Sequence, residues 1–341
     1  MSKTNSQPVF DLGLLSAKLD DEQTSAAARP FRRGEALMGD PATVALVLRL
    51  GLGTLFLIGG WNKLSKLLSP AASDGLVASY TATTGYINEF FMAYLFGPGS
   101  IVSPWGFLTA LSTFELISGL MLIAGLLVRP LALVYGFLLW TFIISLPVVT
   151  TNGVDPGVKT YMAPALLVQI RDVGLSGLMF ALYCLGSGRP SLDVRLFGAS
   201  AAAPRVGWQP IGLLLRLSLA IVLIVGGLFA GMPNIKAFVE PGIIMVVAAI
   251  ALLWGGIIGR IGAAAGVAIV AWYCATKLGF DKGLVANLNA IKREIAFLAA
   301  FAVLALRDSG AMWTARDVAS RLSEGLTALR GSQTAATRSV A

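Results

Sequence analysis

The chain has 341 residues, of which 56% are hydrophobic and only 13% charged. A soluble domain carries about 25% charged residues and has no way to hide so much apolar surface. A bilayer does, so the composition predicts an all-α, polytopic integral membrane protein. The net charge of +8 comes without a single histidine, which removes His-ligated haem, His-containing metal sites and Ser-His triads.

Residues 1–42 lack an apolar core, and Asp20, Asp21 and Glu22 precede Arg29, Arg32 and Arg33. This reads as a cytoplasmic, largely disordered tail rather than a signal peptide, with one short interfacial helix over 10–19. Beyond it, proline marks the helix starts, because its missing N–H costs nothing at a first helical position. Asp40-Pro41, Ser103-Pro104, Arg129-Pro130, Gln209-Pro210 and Glu240-Pro241 each open an apolar run. A crossing needs roughly 20 apolar residues. About eight spans are therefore predicted, near 43–64, 104–128, 130–149, 161–186, 210–230, 241–259, 261–278 and 291–308.

The connections differ in kind. The segment 65–103 is long and aromatic, with Tyr80, Tyr86, Phe90, Phe91, Tyr94 and Phe96, so it is expected to lie along the interface or fold over the bundle. Residues 189–209 carry Arg189, Arg195 and Arg205 and read as a linker between a first unit, 43–188, and a second, 210–310, with a cytoplasmic tail at 311–341. An even span count puts both termini on one side. That side gathers Arg129, Arg189, Arg195, Arg205, Arg260, Arg307 and Arg316; Lys63, Lys66, Lys159, Lys277 and Lys282 fall on the other. By the positive-inside rule both termini are cytoplasmic, in a prokaryotic inner membrane, with 65–103 outside. The basic residues sit in tails and loops, with no basic helix or aromatic platform for nucleic acid.

The two units read as copies. Arg49-Leu-Gly-Leu-Gly with Gly59-Gly60 matches Arg216-Leu-Ser-Leu-Ala with Gly226-Gly227, and Gly125 through Arg129 matches Gly255 through Arg260. Arg171-Asp172 with Ser187-Gly188 matches Arg293-Glu294 with Ser309-Gly310 at one offset. Four spans per unit make this a parallel repeat of two four-helix units. In this alignment Val246 stands where the first unit has Glu115.

Glu115 is the sharpest chemical feature, a carboxylate near the middle of an apolar span. Such a group must face the bundle interior and find a partner. It is either a proton-accepting group or a ligand for a polar head group, or else the counter-ion of Arg171. Lys63, with Asn62 and Trp61, ends the first span and either snorkels to the interface or joins that site. Arg49 has a copy in the second unit, and Arg171-Asp172 has one too, which favours an architectural role. Candidate catalytic residues are Glu115, Lys63 and Arg171; candidate cofactor-binding residues are Asn62, Trp61, Arg49 and Asp172. Cys184 and Cys274 lie far apart in apolar runs with no CxxC, and read as small buried side chains.

Three blocks carry a resemblance to the DoxX/DoxD family of membrane proteins. They are Arg49-x-Gly51-x-Gly53-x-x-Phe56-x-x-Gly59-Gly60-x-x-Lys63; Ile87-Asn88-Glu89-Phe90; and Glu115-x-x-x-Gly119 through Gly125-Leu-x-x-Arg129. The loop with Asn-Glu-Phe is similar to the DoxD branch, the membrane subunits of thiosulfate:quinone oxidoreductases. The resemblance implies a four-helix module in a quinone-linked oxidoreductase that takes electrons from thiosulfate or another reduced sulfur compound. The expected cofactor is membrane quinone, with none bound covalently, and the expected partner is a membrane or extracytoplasmic subunit. Two other readings stand beside it. One is a non-catalytic scaffold or assembly subunit of a respiratory or photosynthetic complex. The other is a small-solute transporter, against which no span shows a mid-membrane Gly/Pro break.

Overall fold

The structure is a computed structural model that describes residues 39–81, 89–97, 99–144, 159–160, 163–230 and 237–307, with isolated positions from 310 to 323. The helix expected at 10–19, Tyr86, Ile87-Asn88, Ser309, Arg316 and most of both tails lie outside the described residues.

Two helices open as proline predicts. α1 (Pro41–Leu67) is capped by the Asp40 carboxylate, which accepts from the Ala42 amide at 2.9 Å. α2 (Ser73–Thr81) follows. α3 (Pro104–Ala124) is capped by the Ser103 hydroxyl, which accepts from Gly106 N at 3.0 Å. Such a cap satisfies an amide that the helix itself cannot. α4 (Val128–Ile144) starts two residues before the expected Pro130. Its cap comes from far along the chain: Asp193 accepts from Leu127 N at 2.7 Å and Val128 N at 3.0 Å.

Then come α5 (Ala165–Leu185), α6 (Leu192–Phe197), α7 (Trp208–Leu228), α8 (Ile243–Trp254), α9 (Gly256–Lys277) and α10 (Leu284–Leu306). Two two-residue strands, Lys159–Thr160 and Ala163–Pro164, pair antiparallel ahead of α5.

Two further predicted boundaries move. The break expected at Gly259-Arg260-Ile261 lies at Gly255-Gly256, whose φ of 82° and 57° only glycine adopts without strain. Arg260 is thereby drawn inside α9. The last helix begins at Leu284 rather than 291, so Lys292, Arg293 and Glu294 lie more than two turns inside it.

Among the described residues, four helices are long and apolar enough to cross a membrane: α1, α3, α7 and α9. α5 and α10 have the length but carry Arg171-Asp172 and Lys292-Arg293-Glu294 within them. α8 has 12 residues, about 18 Å at 1.5 Å per residue, against a hydrocarbon core of about 30 Å.

The surface confirms the solvent. Ile117, Leu120, Phe137, Ile221, Val247, Ile250, Ile261 and Trp272 point outward, while Arg49, Glu115, Arg171, Asp172, Arg216 and Glu294 are buried. This inside-out distribution suits lipid outside and a polar interior.

α1 packs chiefly on α3 and α10, α4 on α5, α5 on α7, and α9 on α8 and α10. The α1–α3 contact is backbone to backbone. A methyl on Gly60 would meet Leu116 N at 2.4 Å, and one on Gly119 would meet Leu57 N at 2.4 Å. Without a hydrophobic force between helices in lipid, such close approach supplies the dispersion energy that holds them. Gly51 lies against Ala296 and Ala299 where α1 meets α10, and Ser218 lies against Gly174 and Gly177 where α7 meets α5. The segment expected as a long outer loop folds back on the bundle. Leu76 of α2 packs with Leu67 and Leu108, and Phe91 and Phe96 both meet the Phe107 ring edge-on.

Candidate functional site

α3 places Glu115 half-way along its length on the face turned to α1, where it is 3% exposed. Gly59 and Gly60 of α1 leave the room that brings this carboxylate alongside. Lys63, one turn beyond Gly59, closes an ion pair with Glu115 Oε2. The Lys63 side chain is 15% exposed and so is the accessible member of the pair. One turn along α3, Ser118 Oγ lies 2.5 Å from the Tyr135 hydroxyl, and Phe56 stacks on the Tyr135 ring with centroids 3.6 Å apart. An aromatic and hydroxyl wall thus borders the pair on the α4 side.

α10 brings a second ammonium. Lys292 Nζ donates to Asn289 Oδ1 at 2.7 Å. A Cβ on Gly59 would stand 3.6 Å from Lys292 Nζ and 3.7 Å from Glu115 Oε2, so both groups converge over this one glycine.

Arg171 is not the partner of Glu115, which corrects the counter-ion reading. It bonds the Glu294 carboxylate on α10. Its neighbour Asp172 accepts from Arg293 Nε at 3.0 Å. The adjacent pair on α5 is thus matched by an adjacent pair on α10, each Arg to the other's acid.

The structure therefore brings Lys63 and Glu115 together and holds Arg171 and Asp172 in their own pairs at the α5–α10 contact. It does not bring Arg49 or Trp61. Arg49 sits toward the opposite end of α1, where its Nη2 donates to Pro190 O. Arg216 of α7 likewise donates to Met312 O, and to Leu253 O at 3.2 Å. Trp61 is 52% exposed and faces outward. Asn62 is half-buried, and its carbonyl accepts from the Ser65 hydroxyl at 3.2 Å. Lys292, Asn289 and Gly59 were missed as site residues. Three consecutive charges inside the apolar run 284–306 were the available signal.

Gly226 of α7 faces Met245 of α8, and Gly227 lies against Val246. Among the described residues no group of histidine, cysteine or acidic side chains is placed to hold a metal ion.

Residues 44–147 match the DoxX family. This segment is a DoxX domain. It covers α1 through α4 and includes Lys63 and Glu115, whereas Arg171, Asp172 and Lys292 lie beyond it. With the four span-length helices, the DoxX domain makes the chain a membrane protein. No curated protein and no solved structure matches the chain.

Proposed function

We propose that the chain is the membrane subunit of a quinone-linked oxidoreductase, built from two four-helix units, with the head of a membrane quinone held at Lys63 and Glu115 of the DoxX domain. The carrying observation is the buried Lys63–Glu115 pair. Ionisable groups at membrane depth are costly and mark ligand or proton pathways. Lys63 supplies N–H donors for a quinone carbonyl oxygen, and Glu115 is placed to hold the proton that a reduced oxygen takes up. Electrons come from a partner subunit. A reduced sulfur compound such as thiosulfate, as their source, rests on the resemblance to the DoxD branch.

The contacts support a parallel repeat. Arg49 and Arg216 each reach a carbonyl in the segment after the fourth helix of their unit, Pro190 and Met312. Arg129 and Arg260 bond Tyr183 O and Ala305 O. Gly51 on Ala296 and Ala299 mirrors Ser218 on Gly174 and Gly177. Pro41, Leu185 and Trp208 line one cleft, so α1 and α7 start at the same end, without inversion. Arg129, Arg205, Arg260 and Arg307 gather at this end, which supports eight spans with both termini cytoplasmic. On this reading α8 completes its crossing with the turn around Glu240-Pro241.

A scaffold role draws on the same pair, because Glu115 is almost fully enclosed. The two separate on purification. Extracted in mild detergent, the parent protein retains membrane quinone detectable by mass spectrometry, and Glu115→Gln loses it. If the parent carries no quinone and binds none when a short-chain quinone is added in excess, the scaffold reading replaces this one.

A further inference from the structure

We infer that the two units share one site, in which Lys292 of the second unit is the second cation for a lipid-soluble ligand bearing an anionic oxygen. The inference rests on the Lys63–Glu115 reading above and extends it across the α1–α10 contact.

Charge is the first observation. Among the described residues of this cluster, four cations (Lys63, Arg171, Lys292 and Arg293) face three carboxylates (Glu115, Asp172 and Glu294). Three cations are matched one to one with a carboxylate. Lys292 makes its hydrogen bond to Asn289, a neutral acceptor. An ammonium has three N–H donors, so two remain for something else. An unmatched ammonium inside an apolar bundle is unfavourable: it either gives up its proton or is completed by an anion.

Placement is the second observation. Lys292 Nζ and Glu115 Oε2 converge over Gly59, and the accessible Lys63 grips the same carboxylate oxygen. The excess positive charge therefore sits beside an accessible ammonium. The Arg–acid pairs of α5 and α10 are internally neutral. A ligand oxygen carrying one negative charge, brought between the two ammoniums, neutralises the cluster. A quinol phenolate and a fatty-acid carboxylate both have this chemistry.

The full chain in lipid nanodiscs, with net-neutral lipid, tests it. The probes are oleate, its neutral methyl ester, and a short-chain ubiquinol, all at neutral pH, where a bound quinol can pass a phenolic proton on while the ammoniums keep theirs. Thermal unfolding reads binding to the folded state as a rise in midpoint. The expected result is a rise with an anionic probe and none with the methyl ester. Lys292→Gln, which keeps the hydrogen bond to Asn289 and drops the charge, weakens the anionic probe at least tenfold without lowering the ligand-free midpoint; Lys292→Arg restores it. Oleate alone active identifies the carboxylate source, and ubiquinol alone active the phenolate. If Lys292→Gln binds as the parent does while Glu115→Gln does not, the site belongs to the first unit and the shared-site inference fails, with the quinone reading intact. If Lys292→Gln lowers the ligand-free midpoint as much as Glu115→Gln, Lys292 is a structural counter-ion and the inference fails. If no anionic probe raises the midpoint of the parent, the inference fails as well.

Discussion

Arg171 of α5 bonds the carboxylate of Glu294 on α10, 123 residues away, while the adjacent residue on each helix, Asp172 after Arg171 and Arg293 before Glu294, forms the reciprocal pair. Self-complementary exchange of this kind is what a two-fold axis between similar elements produces. Both acids are 1% exposed. Breaking one buried pair by removing one member costs about 3–5 kcal/mol, whereas removing both members is close to neutral. Arg171→Met is therefore expected to lower stability by about that amount, and Arg171→Met with Glu294→Met to recover most of it. Denaturant unfolding in mixed micelles measures both; a double variant as weak as the single would show that the pair does not act as a unit.

Glu115 behaves differently from Glu294 because its partner has an exit. Lys63 lies one turn from the end of α1 and is already 15% exposed on its side chain. When Glu115→Gln removes the counter-charge, Lys63 snorkels to the interface. The expected cost in stability is smaller than for Arg171→Met, while quinone binding falls at least tenfold. A stability loss as large as that of Arg171→Met, with quinone binding per folded molecule unchanged, would make the pair structural.

Adjacent glycines on α1 predict opposite outcomes. A methyl at Gly60 would meet the backbone of α3 at 2.4 Å, whereas one at Gly59 finds its nearest neighbour at 3.6 Å, an ordinary contact. Backbone cannot yield as a side chain can, so Gly60→Ala should separate α1 from α3 at a cost of about 1–3 kcal/mol. Gly59→Ala should fold with near-parental stability. Thermal midpoints of the two variants check this, and equal effects would contradict the α1–α3 packing.

Asp193 caps α4 from the segment after α5 and is 5% exposed. Asp193→Ala leaves the amides of Leu127 and Val128 without their acceptor and should cost about 1–2 kcal/mol, near the upper end for a cap. Hydrogen exchange at the start of α4 should speed up, while the start of α3, capped by its own Ser103, should not change.

The helices were legible where local chemistry decides them. Asp40-Pro41 and Ser103-Pro104 mark helix starts because cap and proline lie together in sequence. Arg129-Pro130 misled by two residues because the α4 cap, Asp193, comes from more than sixty residues on. The last span was expected to begin near 291 because charge in an apolar run, here Lys292-Arg293-Glu294, normally ends a span. Arg171 and Asp172, on another helix, make Glu294 and Arg293 tolerable inside one. Glu115 and Lys63 were found separately, each from its place in an apolar helix, but nothing local says that Glu115 pairs with Lys63 rather than Arg171. The glycine gaps at Gly59 and Gly60, which set α1 against α3, decide that.

The most direct test of the quinone site is photolabelling of the full chain in native membranes with an azido-quinone, followed by mapping of the labelled peptides. The label is expected on α1 near Gly59–Lys63 and on α3 around Glu115, to be displaced by excess unlabelled quinone, and to be lost in Glu115→Gln. Displaceable label confined to α7 and α8 would contradict the account.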